Sequence, residues 1–323
     1  PGLSVLSFNL LSLISYTAQY EIIGAKILSK KPFNWNAWIL AIRPRTLPAA
    51  AAGVIMGRAL AWPDGFFRFD AALACLLTAL LLQIGSNLAN DVFDFERGTD
   101  TPERLGPVRV TQAGLLTPSQ VKVGMAIVFG LAALFGLYLA WLGGWPIIII
   151  GIAAIISAIA YTGGPFPLGY YGLGDLFVFI FFGLAAVAGT YYVQAGFVSA
   201  AAGLMTIPPG LIITAILVVN NLRDLENDRK AGKHTLAVMT GERATRIQYL
   251  ICMISAYLVM PLGAWMGVIP WSSLLTWLSL PVAIRTARIV FTQQGRPLNA
   301  ALAGTGQTAL WFSILFWVGL FFS

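Results

Sequence analysis

The chain has 323 residues, of which 58% are hydrophobic and only 10% charged, with a formal net charge of +7. Soluble domains carry charge on roughly a quarter of their residues, so this composition excludes an ordinary globular enzyme and specifies a surface that faces lipid. At about 20 apolar residues per helical crossing, the length accommodates about eight to ten spans and no separate soluble catalytic domain.

Residues 1–36 include the apolar run LSVLSFNLLSLISYTAQY, which lacks the basic flank and small-residue cleavage site of a signal peptide. It reads either as a helix lying on or in the membrane or as vector sequence, apart from a main membrane domain of residues 37–323. Breaks in Gly, Pro and charge then mark apolar runs at 37–62, 69–95, 118–142, 145–162, 175–196, 204–223, 244–267, 269–290 and 299–322. The expectation is an all-α, polytopic membrane protein of nine spans, the first of them bent locally by Pro44 and Pro48. Cys75 and Cys252 fall inside apolar runs, as small buried hydrophobes that offer neither a disulfide nor a thiolate metal site.

Charge tests the span count, because cytoplasmic loops collect Lys and Arg. With the N-terminus inside, 18 of the 20 basic residues fall on the cytoplasmic side, and only Arg58 and Arg68 fall outside. One missed or invented span would scatter this segregation. The positive charge is then juxtamembrane and suited to anionic membrane lipid; nothing in it supports a nucleic-acid partner.

The acids sort as sharply. Asp91, Asp94, Glu96, Asp100 and Glu103 follow the second span, and Asp224, Glu226 and Asp228 follow the sixth, on the same face of the membrane. Acids near membrane depth are costly and mark function. In NDVFDFERG, Asn90, Asp94 and Gly98 recur every four residues, as do Asn220, Asp224, Asp228 and Gly232 in NNLRDLENDRKAG, at an offset of 130. A spacing of four stacks side chains on one helix face. Ordinary solvated helix ends with weak surface ion pairs are one reading; two matched clusters on one face favour a divalent metal site. Oxygen-only ligands select Mg2+, Mn2+ or Ca2+, and Arg97, Arg104, Arg109, Arg229 and Lys233 would hold phosphate oxygens. A diphosphate clamped in front of apolar helices suggests a lipid diphosphate whose tail enters the bundle. Its loss from an allylic carbon leaves a carbocation that must be kept from water.

These residues resemble the UbiA superfamily of intramembrane prenyltransferases. Its N-D-x-x-D-x-x-x-D motif matches Asn90, Asp91 and Asp94, and its D-x-x-x-D motif matches Asp224 and Asp228. NDVFDFERGTD, YTGGPFPLGYYGLGD and NNLRDLENDRKAGKHTLAV look most like the branch that prenylates 1,4-dihydroxy-2-naphthoate in menaquinone biosynthesis, and the resemblance runs from about Trp38 to the C-terminus. Gly98 replaces an acid of the general motif, as in that branch; it should end the helix and let Asp100 reach a metal from a loop. The resemblance implies a nine-helix bundle around a central cavity, with a cytoplasmic cap, in a bacterial cytoplasmic membrane. It implies two Mg2+ ions, or Mn2+, on Asp91, Asp94, Asp100, Asp224 and Asp228, with Asn90 and Asn220 beside the diphosphate, and catalytic roles for Asp94, Asp224 and Asp228. A polyprenyl diphosphate would supply a cation to the carboxyl-bearing ring carbon of the acceptor, and loss of CO2 would restore aromaticity. That needs no strong side-chain base, which suits a chain whose single histidine is His234.

Further candidates carry two readings each. YTGGPFPLGYYGLGD is either a turn with interfacial tyrosines or a loop over the acceptor, with Tyr161 or Tyr170 bonding a naphthol oxygen or facing the cation. Arg43 either snorkels to lipid phosphate or binds substrate anion, Asn87 either faces the cavity or packs helices, and Asp175 reads as a helix cap. The rival from another class is a cation- or proton-coupled transporter, which predicts acids near mid-membrane and inverted repeats. Here the acidic segments share one orientation at helix mouths, which favours an enzyme. Within that class, acceptors such as 4-hydroxybenzoate, homogentisate or a chlorophyll precursor stay open.

Overall fold

The computed structural model describes residues 34–99 and 104–323, and every regular element among them is helical. Two units are distinguished, Pro1–Trp38 and Ile39–Ser323. In the first, Asn34 Oδ1 accepts the Ala37 amide at 3.1 Å and so starts a helix; the expectations for residues 1–33 lie outside the described residues.

Among the described residues there are nine apolar helical runs: α1 (Trp35–Ala61), α2 (Phe69–Glu96), α3 (Pro118–Gly143), α4 (Trp145–Ala160), α5 (Gly174–Ala195), α6 (Ala200–Lys230), α7 (Glu242–Trp265), α8 (Trp271–Thr292) and α9 (Leu298–Phe321). All but α4 are long and apolar enough to cross a membrane; α4 has 16 residues. The bounds match the expected runs within a few residues, with one instructive exception. Instead of ending at 223, α6 continues to Lys230, so its acids sit on two further turns of the same helix.

Packing follows from small residues and a few polar ties. α2 lies along α3, α6 against α7 and α9, and α9 returns to α1. A Cβ on Gly53 of α1 would stand 2.6 Å from the Phe182 carbonyl of α5, and Gly57 is tighter still against Val187. Close backbone approach of this kind drives helix association where lipid is as apolar as leucine. Ile127, Leu131 and Leu134 of α3 and Ile148, Ile152 and Ile156 of α4 are exposed, as a lipid-facing surface requires. Exposed Trp62, Trp141, Trp145, Trp265 and Trp271 belong to helix ends opposite those that carry the acids, in keeping with an interfacial aromatic belt.

α1 is interrupted where the sequence placed its prolines. Trp35–Ile42 stops, Arg43 takes φ 54°, Pro44–Thr46 makes one 3-10 turn, and Leu47 restarts the helix. A left-handed non-glycine residue costs on the order of 1–2 kcal/mol, and Asn87 of α2 holds it there. Asn87 Nδ2 donates to Ile42 O at 2.9 Å and to Thr46 Oγ1 at 3.0 Å, and Gln83 donates to Asn87 Oδ1 at 3.3 Å. The Asn87 amide is thus spent on the break in α1.

Replacing Gly53 by Val should drive α1 from α5 and destabilise the protein by about 1–3 kcal/mol, whereas Leu131→Ala on the lipid face should stay within about 0.5 kcal/mol. Thermal denaturation of the detergent-solubilised protein reads both.

Candidate active site

Both acidic helices end in the same way. α2 stops at Gly98 with φ 68°, and α6 stops at Gly232 with φ 71°. Thr99 N–H donates to Asp94 O and Gly98 N–H to Phe95 O; Lys233 N–H donates to Asp228 O and Gly232 N–H to Arg229 O. This paired bonding with a left-handed glycine puts Asp94 and Asp228 at equivalent positions, three residues inside their helix caps. The structural offset between the segments is therefore four residues longer than the one read from the sequence. Gly98 corresponds to Gly232, and not to Asp228.

The two carboxylates meet across Lys233, whose Nζ lies 3.7 Å from Asp94 Oδ1 and 3.7 Å from Asp228 Oδ1. Asp94 is 2% exposed, and an ionised carboxylate so buried is tolerable only when paired and hydrogen-bonded. Arg109 Nη2 donates to its Oδ2 at 2.9 Å, and the Tyr170 hydroxyl donates to its Oδ1 at 2.7 Å. Tyr170 acts as a roof. Its ring lies 4.4 Å from the Lys233 ammonium, its hydroxyl is 3.0 Å from Thr99 Oγ1, and its carbonyl accepts the His234 amide at 2.7 Å.

The loop from α4 to α5 lies beside the acids through Tyr170. Arg97 fastens it: Nε donates to Thr162 O at 3.0 Å and Nη2 donates to Gly164 O, while Thr162 Oγ1 donates to Asn90 Oδ1 at 3.0 Å. Tyr161, at the end of α4, packs on Gly169 and Gly174. Burial, then Asp175, Asp228 and Asp94, push the Tyr161 phenol up; burial, then Asp94, push Tyr170 up. Both phenols stay protonated at neutral pH, and Tyr170 donates to Asp94.

Asp224, one turn before Asp228, is held by its neighbour Arg223. Nε of Arg223 donates to Asp224 Oδ1 at 2.9 Å and Nη2 donates to Oδ2; the same guanidinium donates to Asn220 Oδ1 and Asn299 Oδ1, each at 2.8 Å. The Arg223 side chain is 1% exposed. Sequence reading passed over Arg223 and Asn299 as site residues. The available signals were a charge directly before the first acid of the motif, and a lone amide opening the last apolar span.

Several expected site residues do other work. Asp91, expected as a metal ligand, is buried and accepts the Val110 amide at 3.0 Å and the Thr111 amide at 2.9 Å; both oxygens are committed to the loop that follows α2. Arg97 binds loop carbonyls, Asn220 binds Arg223, and exposed Arg229 pairs with Glu226 at 2.8 Å. Each of the three thus has at least one polar atom on a protein partner. Arg104 acts electrostatically on Asp94 and Asp228. Arg43 has Nε and Nη2 buried, which does not suit snorkelling. Asp175 does not cap α5; it is buried and accepts Gln248 Nε2 at 2.6 Å. Asp100 lies outside the described residues.

No three acidic, histidine or cysteine side chains among the described residues converge on one metal position, so these acids alone do not complete a metal cage. Asp94, Asp224 and Asp228 offer only carboxylate oxygens, the donor type that a hard cation takes together with water and phosphate, and here those of Asp94 and Asp224 are engaged by Arg109, Tyr170 and Arg223. Arg104, Arg109, Arg223 and Lys233 stand beside those three acids. The arrangement can hold a polyanion.

Fold and site together define an all-helical, multi-pass membrane protein with an acid-and-cation mouth at one end of its bundle. The chain belongs to the UbiA prenyltransferase family, whose model matches residues 46–314. It is 41% identical over 298 residues to the 1,4-dihydroxy-2-naphthoate octaprenyltransferase of Escherichia coli, covering 89% of this chain and 96% of that protein. The enzyme of the same name from Haemophilus influenzae is 39% identical over 304 residues, 90% of this chain and 98% of that one. Among solved structures, a UbiA homolog from Archaeoglobus fulgidus bound to GPP and Mg2+ aligns with a TM-score of 0.64 at 14% identity, over 88% of this chain and 99% of that chain. The apo UbiA homolog from Aeropyrum pernix aligns at 0.63 with 16% identity, over 87% and 97%. These structural likenesses are likenesses of fold.

The raised Tyr170 phenol has a measurable consequence. Its neutral form is favoured in the fold, so its contribution to stability is fully present below the ordinary tyrosine value of about 10. That contribution is lost as pH rises through the folded-state value. Thermal midpoints taken across alkaline pH should fall more steeply for the wild type than for Tyr170→Phe.

Proposed function

We propose that the chain transfers a polyprenyl group from an allylic polyprenyl diphosphate to 1,4-dihydroxy-2-naphthoate, releasing diphosphate and CO2. The observation that carries this reading is the pairing of Asp94 and Asp228 across Lys233 beneath Tyr170. Near-full-length relatives named as naphthoate octaprenyltransferases support the acceptor. Asp94, Asp224 and Asp228 would hold Mg2+, with Asp100 as a further candidate; a pair of ions suits two acidic helix ends. When bound, Mg2+ would neutralise charge that develops on the leaving diphosphate.

The chain's own residues do the rest. Arg104, Arg109 and Lys233 offer donors to diphosphate oxygens, and their charge favours departure of the allylic C–O electron pair with the diphosphate. Tyr161 and Tyr170 remain protonated, and the α4–α5 loop keeps water from the cation. The ring carbon that bears the carboxylate bonds to the prenyl carbon; the bond to CO2 then breaks and returns its pair to the ring. No ring proton is removed, so no histidine is required. The helical bundle of residues 37–323 forms this catalytic unit, its acidic mouth and N-terminus on the cytoplasmic side, as the segregation of Lys and Arg supports.

Membranes containing the protein should join an allylic polyprenyl diphosphate to the naphthoate, release one CO2 per transfer and fall silent in EDTA. Asp94→Asn and Asp228→Asn should each lower kcat by about 100-fold or more. Reaction with 4-hydroxybenzoate and none with the naphthoate would refute the acceptor assignment while leaving the donor chemistry standing.

A further inference from the structure

We infer that Asn299, at the start of α9, is a positioning residue that holds residues 105–111, between α2 and α3, beside the acids; its link to catalysis rests on the reading above. Asn299 touches none of Asp94, Asp228 or Tyr170 in its hydrogen bonding. It joins two other things. Its Oδ1 accepts Arg223 Nη1 at 2.8 Å, and its Nδ2 donates to Leu105 O at 2.9 Å. One amide therefore ties the α6 guanidinium to the backbone of the loop.

The geometry of this tie is stiff. A guanidinium is a planar fork, and Arg223 spends it on Asp224, Asn220 and Asn299 at once. With Asp224 and Asn220 on the same helix, the position of Nη1 is fixed, and with it the position of Asn299 and of the Leu105 carbonyl. The loop presses close here: a methyl on Gly106 would stand 2.8 Å from Arg223 Nη2. Further along, Arg109 reaches Asp94, and the Val110 and Thr111 amides reach Asp91. The loop is thus pinned at Leu105 from α6 and α9, and at residues 110–111 from α2. Arg109 lies between the two pins.

This makes Arg109 a donor whose placement depends on a residue far from it in sequence. Releasing Leu105 removes one of these ties, and the Arg109 guanidinium, which would face the diphosphate, gains freedom. Preorganisation of such donors is what an electrostatic site depends on. The expected signature is a loss in donor binding, with acceptor binding little changed.

The test compares wild type, Asn299→Ala and Asn299→Asp in detergent, using trypsin and mass spectrometry without substrate. Cleavage after Arg104 and Arg109 should rise about tenfold in Asn299→Ala, the scale of losing one or two buried hydrogen bonds. Asn299→Asp keeps an oxygen for Arg223 and loses the donor to Leu105, so it should open the same bonds. In turnover, both variants should raise KM for the prenyl diphosphate about tenfold and leave KM for the naphthoate within about twofold. Wild-type cleavage rates in both variants would overturn the inference. So would cleavage spread evenly over all loops in both, because that marks general unfolding. Proteolysis needs no substrate, so it judges the loop tie even if the wild type transfers nothing to the naphthoate.

Discussion

A carboxylate cannot be left charged and alone at the end of an apolar helix bundle. Asp94 shows what that constraint builds. It draws Arg109 from the loop after α2, Lys233 from the end of α6 and the Tyr170 hydroxyl from the loop before α5. Three segments distant in sequence are folded over one mouth because each brings a group that this carboxylate needs. Their convergence leaves an ordered set of cations and phenols around a small group of acids, which is the electrostatic complement of a diphosphate with its metal.

The acids divide by task. Asp94 and Asp228 occupy matched positions at two helix ends and share Lys233. Asp91, one turn earlier on α2, commits both oxygens to loop amides. Asp224 is clasped by Arg223, which in turn reaches α9. Two carboxylates thus share one ammonium, and two hold the frame that aims the cations. Buried ion pairs of this sort contribute little net stability and much geometry, and geometry is what an active site requires.

Most of the architecture was legible in the sequence, because lipid imposes long apolar runs and Gly, Pro and charge interrupt them. The break in α1 was visible in Pro44, and the end of α2 in Gly98. What sequence spacing could not settle was where each side chain spends its hydrogen bonds. A repeat of four aligned Asn90 with Asn220, yet the helix caps align Gly98 with Gly232, because left-handed backbone geometry and not residue identity fixes the register. Asp91 and Asp94 look alike in NDVFD. Only the return of the chain at Val110 and Thr111 separates them. Asn299 announced itself only as an amide opening the last span; its partners, from two other parts of the chain, were not legible.

In the proposed reaction the acidic helix ends and their cations clamp a diphosphate through a divalent metal. Calorimetric titration of the solubilised protein with a prenyl thiolodiphosphate, which resists ionisation, tests this without turnover. The account predicts tight binding in Mg2+ that is lost in EDTA and does not return with Mg2+ when Asp94 is replaced by Asn. Equal affinity with and without Mg2+ would contradict it.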